Sequence, residues 1–304
     1  MEAKMQCVKS NLGLVCITNS DEVRYKTVTR KRLLSFDENT QKEMLQSLYQ
    51  ENINRLNRAI EFCTANGIKL YRLTSGLFPF SDEPVGAEIL DEFTDRLAET
   101  GKKAIDAGLR LVIHPDQFVV LSSDSENVIK NSVKILKMHA RTLDLLHQPR
   151  SEWATMNIHG GKGDRADKLV ESIENLSDAV RSRIAFENDE HAYSSAQILE
   201  ACRRDRVPMV FDAHHHVCRE KLDDYNHPSV AETFWAARET WKNPAWQLVH
   251  ISNGRERFGD RAHSDLIFTM PDVFRFAPWI EVEAKHKELA IAKLQAEWLN
   301  AKEF

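Results

Sequence analysis

Apolar residues along the chain fall into two alternating rhythms. Short aliphatic runs alternate with longer stretches in which apolar positions recur every three or four residues. The short runs are 12–17 (LGLVCI), 69–73 (KLYRL), 109–113 (LRLVI), 154–158 (ATMNI), 183–186 (RIAF), 208–211 (PMVF), 246–251 (WQLVHI) and 279–282 (WIEV). Each has the length of a strand, and their β-branched and aliphatic content predicts strands buried on both faces. In the first long stretch between them, Leu45, Leu48, Leu56, Ile60 and Cys63 keep helical spacing and Gly67 supplies a stop. In another, Ala166, Leu169, Val170, Ile173, Leu176 and Val180 form one stripe, which predicts a helix laid over a sheet.

Strands that alternate with helices imply βαβ units and parallel pairing. Eight units in 304 residues average about 38 each, which predicts an α/β fold of the (β/α)8 TIM-barrel type, a single domain over 1–304. No Gly/Ser-rich or Pro-rich linker divides the chain, and no internal repeat is visible. An open, doubly wound sheet would call for a G-x-G-x-x-G turn after the first strand, and none is present.

Composition narrows the class of protein. The run Leu12–Ile17 is too short for a signal-peptide core, and no stretch reaches the roughly 18 apolar residues of a membrane helix. Five cysteines (Cys7, Cys16, Cys63, Cys202 and Cys218) without a C-x-x-C read as reduced thiols, so a soluble, cytoplasmic protein with no membrane partner is expected. The formal charge is −5, which excludes nucleic-acid binding driven by bulk charge alone. Twelve histidines are the unusual count, and their positions carry the information.

In a barrel, chemistry collects at the C-terminal ends of the strands. The predicted third and fourth strands lead into His114 and His159, and the fifth into Glu187. The sixth leads into Asp212, with His214, His215 and His216 behind it; the seventh carries His250 and the eighth leads into Glu283. His263 lies in the loop after the seventh. Any one of these is ordinarily a structural histidine, a cap or a surface ion pair. Six consecutive strand ends of this kind facing one bowl are not, because burying so many unpaired carboxylates together costs several kcal/mol each. Divalent cations remove that cost, and imidazole with carboxylate and no thiolate suits Zn2+, Mn2+ or Fe2+. The donors outnumber those of a single catalytic zinc, and Glu187 stands mid-series, placed to bridge two ions. Spacing alone thus predicts a multi-metal hydrolase or isomerase on a barrel.

The segments around these residues resemble a known family, the UV damage endonucleases, similar in fold and metal site to endonuclease IV of base-excision repair. They are LGLVCITNS (12–20), LYRLTSGLFPF (70–80), IHPDQFVVLSS (113–123), NIHGGK (157–162), AFENDE (185–190), VFDAHHH (210–216), LVHIS (248–252), RAHSD (261–265) and VEAKHK (282–287). The resemblance runs nearly end to end. It implies a metal-dependent DNA repair endonuclease that nicks 5′ to cyclobutane dimers and 6-4 photoproducts, leaving a 3′-hydroxyl and a 5′-phosphate. It implies two to three divalent ions, Mn2+ first, with Mg2+, Zn2+ or Co2+ as alternatives. Carried over by motif, His114, His159 and Glu187 form the catalytic centre around one ion. Glu187, Asp212, His250 and Glu283 hold a second; His215, selected by D-x-x-H, pairs with His263 on a third, with Asp265 as a further candidate. A hydroxide near Glu187 would attack phosphorus in line, since a metal can lower the pKa of water from 15.7 to about 7.

The same resemblance implies a monomer acting on double-stranded DNA that carries UV lesions. Gln117 and Phe118 correspond to a pair that intrudes into the duplex, where stacking is worth roughly 1–3 kcal/mol per base. Many relatives carry tyrosine where this chain has Phe118, which keeps the stacking face and loses the hydroxyl. Two further departures are Leu14, where relatives often have tyrosine, and Leu248, where some carry lysine. Arg24, Tyr25 and Lys26 open the densest basic run and are candidate DNA contacts, as are Arg255, Arg257 and Arg261. The alternatives are an abasic-site endonuclease of the endonuclease IV type and a divalent-metal sugar isomerase.

Overall fold

The computed structural model describes residues 9–163 and 165–300; Cys7 lies outside them. Eight strands close into a parallel barrel in chain order, and each lies at a run anticipated from the sequence: β1 (Asn11–Val15), β2 (Leu70–Leu73), β3 (Arg110–Ile113), β4 (Met156–His159), β5 (Ile184–Glu187), β6 (Met209–Asp212), β7 (Leu248–Ile251) and β8 (Trp279–Val282). β1 pairs with both β2 and β8, which completes the cylinder. Strand ends differ from expectation by a residue or two. The first stops at Val15, because Cys16 takes a positive φ of 63° and turns the chain out of the sheet.

Alternation along each strand sorts side chains into two cores. Outward residues such as Leu14, Tyr71, Leu111, Phe186 and Phe211 pack under the surrounding helices. Inward residues Leu70, Val112, Ala185, Val210 and Leu248 form a separate cluster, with Trp241, that fills the barrel. Leu14 therefore faces the helical layer and does not shape the bowl, and Leu248 belongs to the apolar floor beneath it. Below that floor, Arg110 is fully buried, with its guanidinium over the rings of Trp153, Trp241 and Trp279. It donates to the carbonyls of Trp153 (2.7 Å), Trp246 (2.8 Å) and Glu152 (2.9 Å). One cation thus satisfies three buried acceptors and closes the N-terminal end of the barrel.

The first anticipated helix is Glu38–Ala65, started by Asp37, whose side chain accepts from Thr40 N, and ended at Gly67 with φ +66°. The stripe from Ala166 to Val180 is not one helix. It is split into Ala166–Glu174 and Asp178–Arg181, because Ser177 leaves helical geometry (φ −63°, ψ 154°) and starts the second piece. Leu169, Ile173 and Val180 nonetheless stay in the core, since the break is short. Among the described residues no helix is long and apolar enough to cross a membrane. Cys16, Cys63, Cys202 and Cys218 are unpaired.

Replacing Arg110 with Met leaves three buried carbonyls without a donor, each worth about 1–3 kcal/mol. Denaturant unfolding of R110M should show a loss of at least about 3 kcal/mol; a loss below about 1 kcal/mol would contradict the role given to this plug.

Candidate metal centre

Strand register decides which side chains meet above the floor. His159 lies beside Glu187, Asp212 beside His250, and His250 beside Glu281. Neighbours in register on parallel strands present their side chains to the same face, so these groups converge inside the barrel. Glu187 is 1 % exposed and sits at the centre. Its Oε2 lies 3.1 Å from His114 Nε2 and accepts a short hydrogen bond from Asn157; its Oε1 lies 3.0 Å from His250 Nδ1.

Two groups of three could each hold an ion: His114, His159 and Glu187, and Glu187, Asp212 and His215. Within each, the donor atoms lie within 4.8 Å of one another. Glu187 belongs to both. The histidines are oriented for the task. His114 Nδ1–H donates to the Pro115 carbonyl (2.9 Å) and His215 Nδ1–H to the Asn188 carbonyl (3.0 Å), which turns His114 Nε2 toward Glu187 and His215 Nε2 toward Glu190. Asn188 also bonds the Asp212 backbone in both directions (2.9 and 3.0 Å), fixing the end of β6. His159 Nδ1 and Asp212 Oδ2 are buried with no hydrogen-bond partner. Unsatisfied buried polar atoms cost about 1–3 kcal/mol each, and a divalent ion is the partner these two would accept. The residues present fit the metals that the donor types imply.

The charges of the cluster support one another. Burial pushes the Glu187 carboxyl up, but the His250 and His159 rings and the bonds from His114 and His250 outweigh it and hold it well below the usual carboxylate range. Burial opposes protonation of His250 and His215; carboxylates around each prevail, Glu187 first for His250 and Asp212 first for His215, which is raised to about 9. Burial lowers His159 against the pull of Glu187, which favours the neutral form that ligates.

The three adjacent histidines separate because a helix turns about 100° per residue. Asp212 caps the helix Ala213–Glu220, accepting from His215 N at 2.7 Å, and that folds His215 over the bowl. His214 points away, between the Tyr225 hydroxyl (2.6 Å) and the Asp260 carbonyl (2.8 Å), and His216 lies between Ser195 and Ser229. The structure groups His215 with Glu187 and Asp212. His263 faces Glu283 at 3.9 Å, and Asp265 faces His286 at 3.8 Å.

Several residues of the centre escaped the strand-end reading. Arg72 on β2, Asn157 on β4 and Glu281 on β8 stand inside the barrel, and Glu190 lies 3.6 Å from His215 Nε2. A signal for two of them existed: Asn157 precedes His159 by two positions and Glu281 precedes Glu283 by two, so each shares its ligand's face.

Beside the centre, Asp116 and Val119 close a tight turn (Val119 N to Asp116 O, 2.9 Å), braced by Ser75 on Asp116 at 2.6 Å. The turn pushes Gln117 outward and leaves Phe118 73 % exposed. Between it and the β5 loop opens a cavity of about 420 Å3 lined by Gln117, His159, Lys162, Glu190, His191 and His215. The basic run behaves unevenly. Tyr25 packs against the core, with its hydroxyl on Tyr71 at 2.7 Å, so its ring is not a free contact surface. Arg24 is engaged by Asp21 at 2.7 Å and by the Thr18 carbonyl. Lys26 is exposed, its backbone held at both ends by Asn52 (2.8 and 2.9 Å). Arg255, Arg257 and Arg261 are exposed as well.

The model of the family described as UV-endonuclease UvdE matches residues 10–303. A protein named UV DNA damage endonuclease from Nostoc sp. is 52 % identical over 290 residues, covering 95 % of this chain and 90 % of its own length. One of the same name from Deinococcus radiodurans is 47 % identical over 287 residues, covering 93 % and 94 %. The solved structure described as SacUVDE superposes with a TM-score of 0.79 at 24 % identity, covering 94 % of this chain and 98 % of that one, and shares the fold. With a family model spanning nearly the whole described chain and relatives near half identity, this protein belongs to the UvdE family of UV endonucleases.

Proposed function

We propose that this protein is a metal-dependent DNA repair endonuclease. It nicks the phosphodiester 5′ to UV photoproducts and leaves a 3′-hydroxyl and a 5′-phosphate. The observation that carries this reading is the pair of metal-capable triads sharing Glu187, set beside a turn that projects Gln117 and Phe118 into solvent. The donor set of imidazole and carboxylate accepts Zn2+, Mn2+ or Co2+, and the family resemblance puts Mn2+ first, with Mg2+ as a further alternative. When bound, such ions supply Lewis-acid chemistry, acidifying water and neutralising charge on the phosphate.

The chain's own residues do the rest. Glu187 turns Oε2 toward His114 of one triad and Oε1 toward His215 of the other, at 3.1 and 3.6 Å. Asn157 fixes the Glu187 carboxylate and Asn188 the Asp212 backbone, so the reacting phosphate meets a preorganised surface. Phe118 supplies a ring for base stacking, a contact that tolerates any sequence, and the neighbouring cavity can receive a displaced base. Lys26 and the exposed arginines of the β7 loop are placed to meet backbone phosphates, adding salt-dependent affinity without base specificity.

We propose, too, that the enzyme acts as a monomer in the cytoplasm. The described cysteines are free thiols, as a reducing compartment maintains. A divalent-metal sugar isomerase would have no use for an exposed Phe118 on the rim. An abasic-site endonuclease would, and substrate choice separates it from the reading preferred here.

Purified protein with Mn2+ should open irradiated supercoiled plasmid and leave unirradiated plasmid closed, with the nick mapping to the 5′ side of dipyrimidines. Glu187→Gln should bind damaged DNA and fail to cut it. Irradiated DNA that stays closed, or cutting confined to abasic DNA, would refute the proposal. Phe118→Ala should narrow the preference for damaged over intact duplex by roughly tenfold, about the worth of one stacked base, with metal content unchanged; an unaltered preference would remove Phe118 from damage recognition.

A further inference from the structure

The two halves of the bowl differ in how their polar atoms are satisfied. On the β4–β6 side, His159 Nδ1 and Asp212 Oδ2 are buried without partners. On the β8 side the four charged or ionisable groups satisfy one another. Arg72 is 7 % exposed and reaches Glu281 as a two-pronged fork, Nε to Oε1 at 2.9 Å and Nη2 to Oε2 at 2.6 Å. The same Nη2 lies 2.5 Å from Glu283 Oε1 and 3.1 Å from His250 Nε2. His250 Nε2 in turn contacts Glu281 Oε2.

β1 lies between Arg72 and Glu281, with Val15 beside Arg72 in register. Gly13 stands beside Glu281 in register and has no side chain to place there. A Cβ on Gly13 would come within 2.6 Å of Leu70, so the small residue is required. Across β1, Arg72 reaches from β2 to β8. A guanidinium keeps its charge at any relevant pH and matches a carboxylate as a planar fork.

The consequence is a count of free donor atoms. Glu281 has both oxygens bonded to Arg72. Glu283 keeps only Oε2, which faces His263 at 3.9 Å. His250 directs one nitrogen at Glu187 and the other at Glu281. From this we infer that Arg72 is a built-in cation of the bowl, a positioning residue that holds Glu281, Glu283 and His250 in an ion-pair network and confines tight divalent-metal binding to the two triads sharing Glu187. Charge that a further ion would otherwise neutralise is neutralised by the polypeptide. A positive group fixed by the fold cannot be lost to dilution or chelation, so the β8 side keeps its shape whatever the metal supply.

The inference presupposes that the Glu187 triads bind metal, and metal content separates the two ideas. Wild-type protein, Arg72→Met and Arg72→Lys are loaded with Mn2+, dialysed against metal-free buffer and assayed for manganese per chain, with circular dichroism as the control for folding. The expected result is two ions in the wild type and in R72K, and a gain of one in R72M. Equal counts in wild type and folded R72M overturn the inference and leave the metal reading intact. A wild type that retains no ion overturns both. Should R72M fail to fold, Co2+ titration of the wild type decides: absorbance saturating at two equivalents supports the inference. Saturation at three, falling to two in Glu283→Gln, overturns it.

Discussion

A carboxylate buried at the centre of a barrel must be surrounded by positive or hydrogen-donating groups, and nearly everything functional in this molecule follows from how Glu187 meets that demand. Alone, the group would be prohibitively costly to bury as an anion. Here His114, His250 and Asn157 lie within hydrogen-bond reach, and His215 stands 3.6 Å away. These partners come from β3, β4, β7 and the helix after β6, so one side chain on β5 ties together half the strands of the barrel. The same geometry that stabilises the anion leaves lone pairs of His159 and Asp212 aimed at nothing, which is the signature of a site built for cations.

The barrel interior is layered by charge. At its N-terminal end Arg110 lies among three indoles and three carbonyls. Above it is the apolar floor of Leu70, Val112, Ala185, Val210 and Leu248. Above that comes the ionic layer of Arg72, Glu187, Asp212, His250 and Glu281, and at the rim His114, the Gln117–Phe118 turn and the arginine loop. The floor keeps water from reaching the ionic layer from below, which lowers the local dielectric and strengthens each interaction above it.

Much of this was legible in the sequence because a parallel barrel writes itself plainly. Strands buried on both faces appear as apolar runs, and the polar residue at or next to the end of a run faces the bowl, so His114, His159, Glu187, Asp212 and His250 could be read one strand at a time. What could not be read is pairing across the barrel. Arg72 and Glu281 are 209 positions apart, and a lone charge inside LYRL or WIEV carries no hint of its partner. Periodicity could not separate His214, His215 and His216, because the separation depends on where Asp212 starts the helix. Tyr25 sits in a basic, solvated-looking run yet turns inward to Tyr71, since the hydroxyl has a partner there and the ring an apolar wall. The single stripe over 166–180 concealed a break at Ser177, which leaves the buried face almost unchanged and so leaves no trace in the pattern.

Glu187 is proposed above as the shared ligand of two adjacent cations. Anomalous diffraction at the manganese edge, from crystals grown with Mn2+, tests it directly. Two peaks should flank Glu187, about 3.5–4 Å apart, one against His114 and His159 and the other against Asp212 and His215. A map with no peak at Glu187, or with manganese seated only among Arg72, Glu281 and Glu283, would contradict the account.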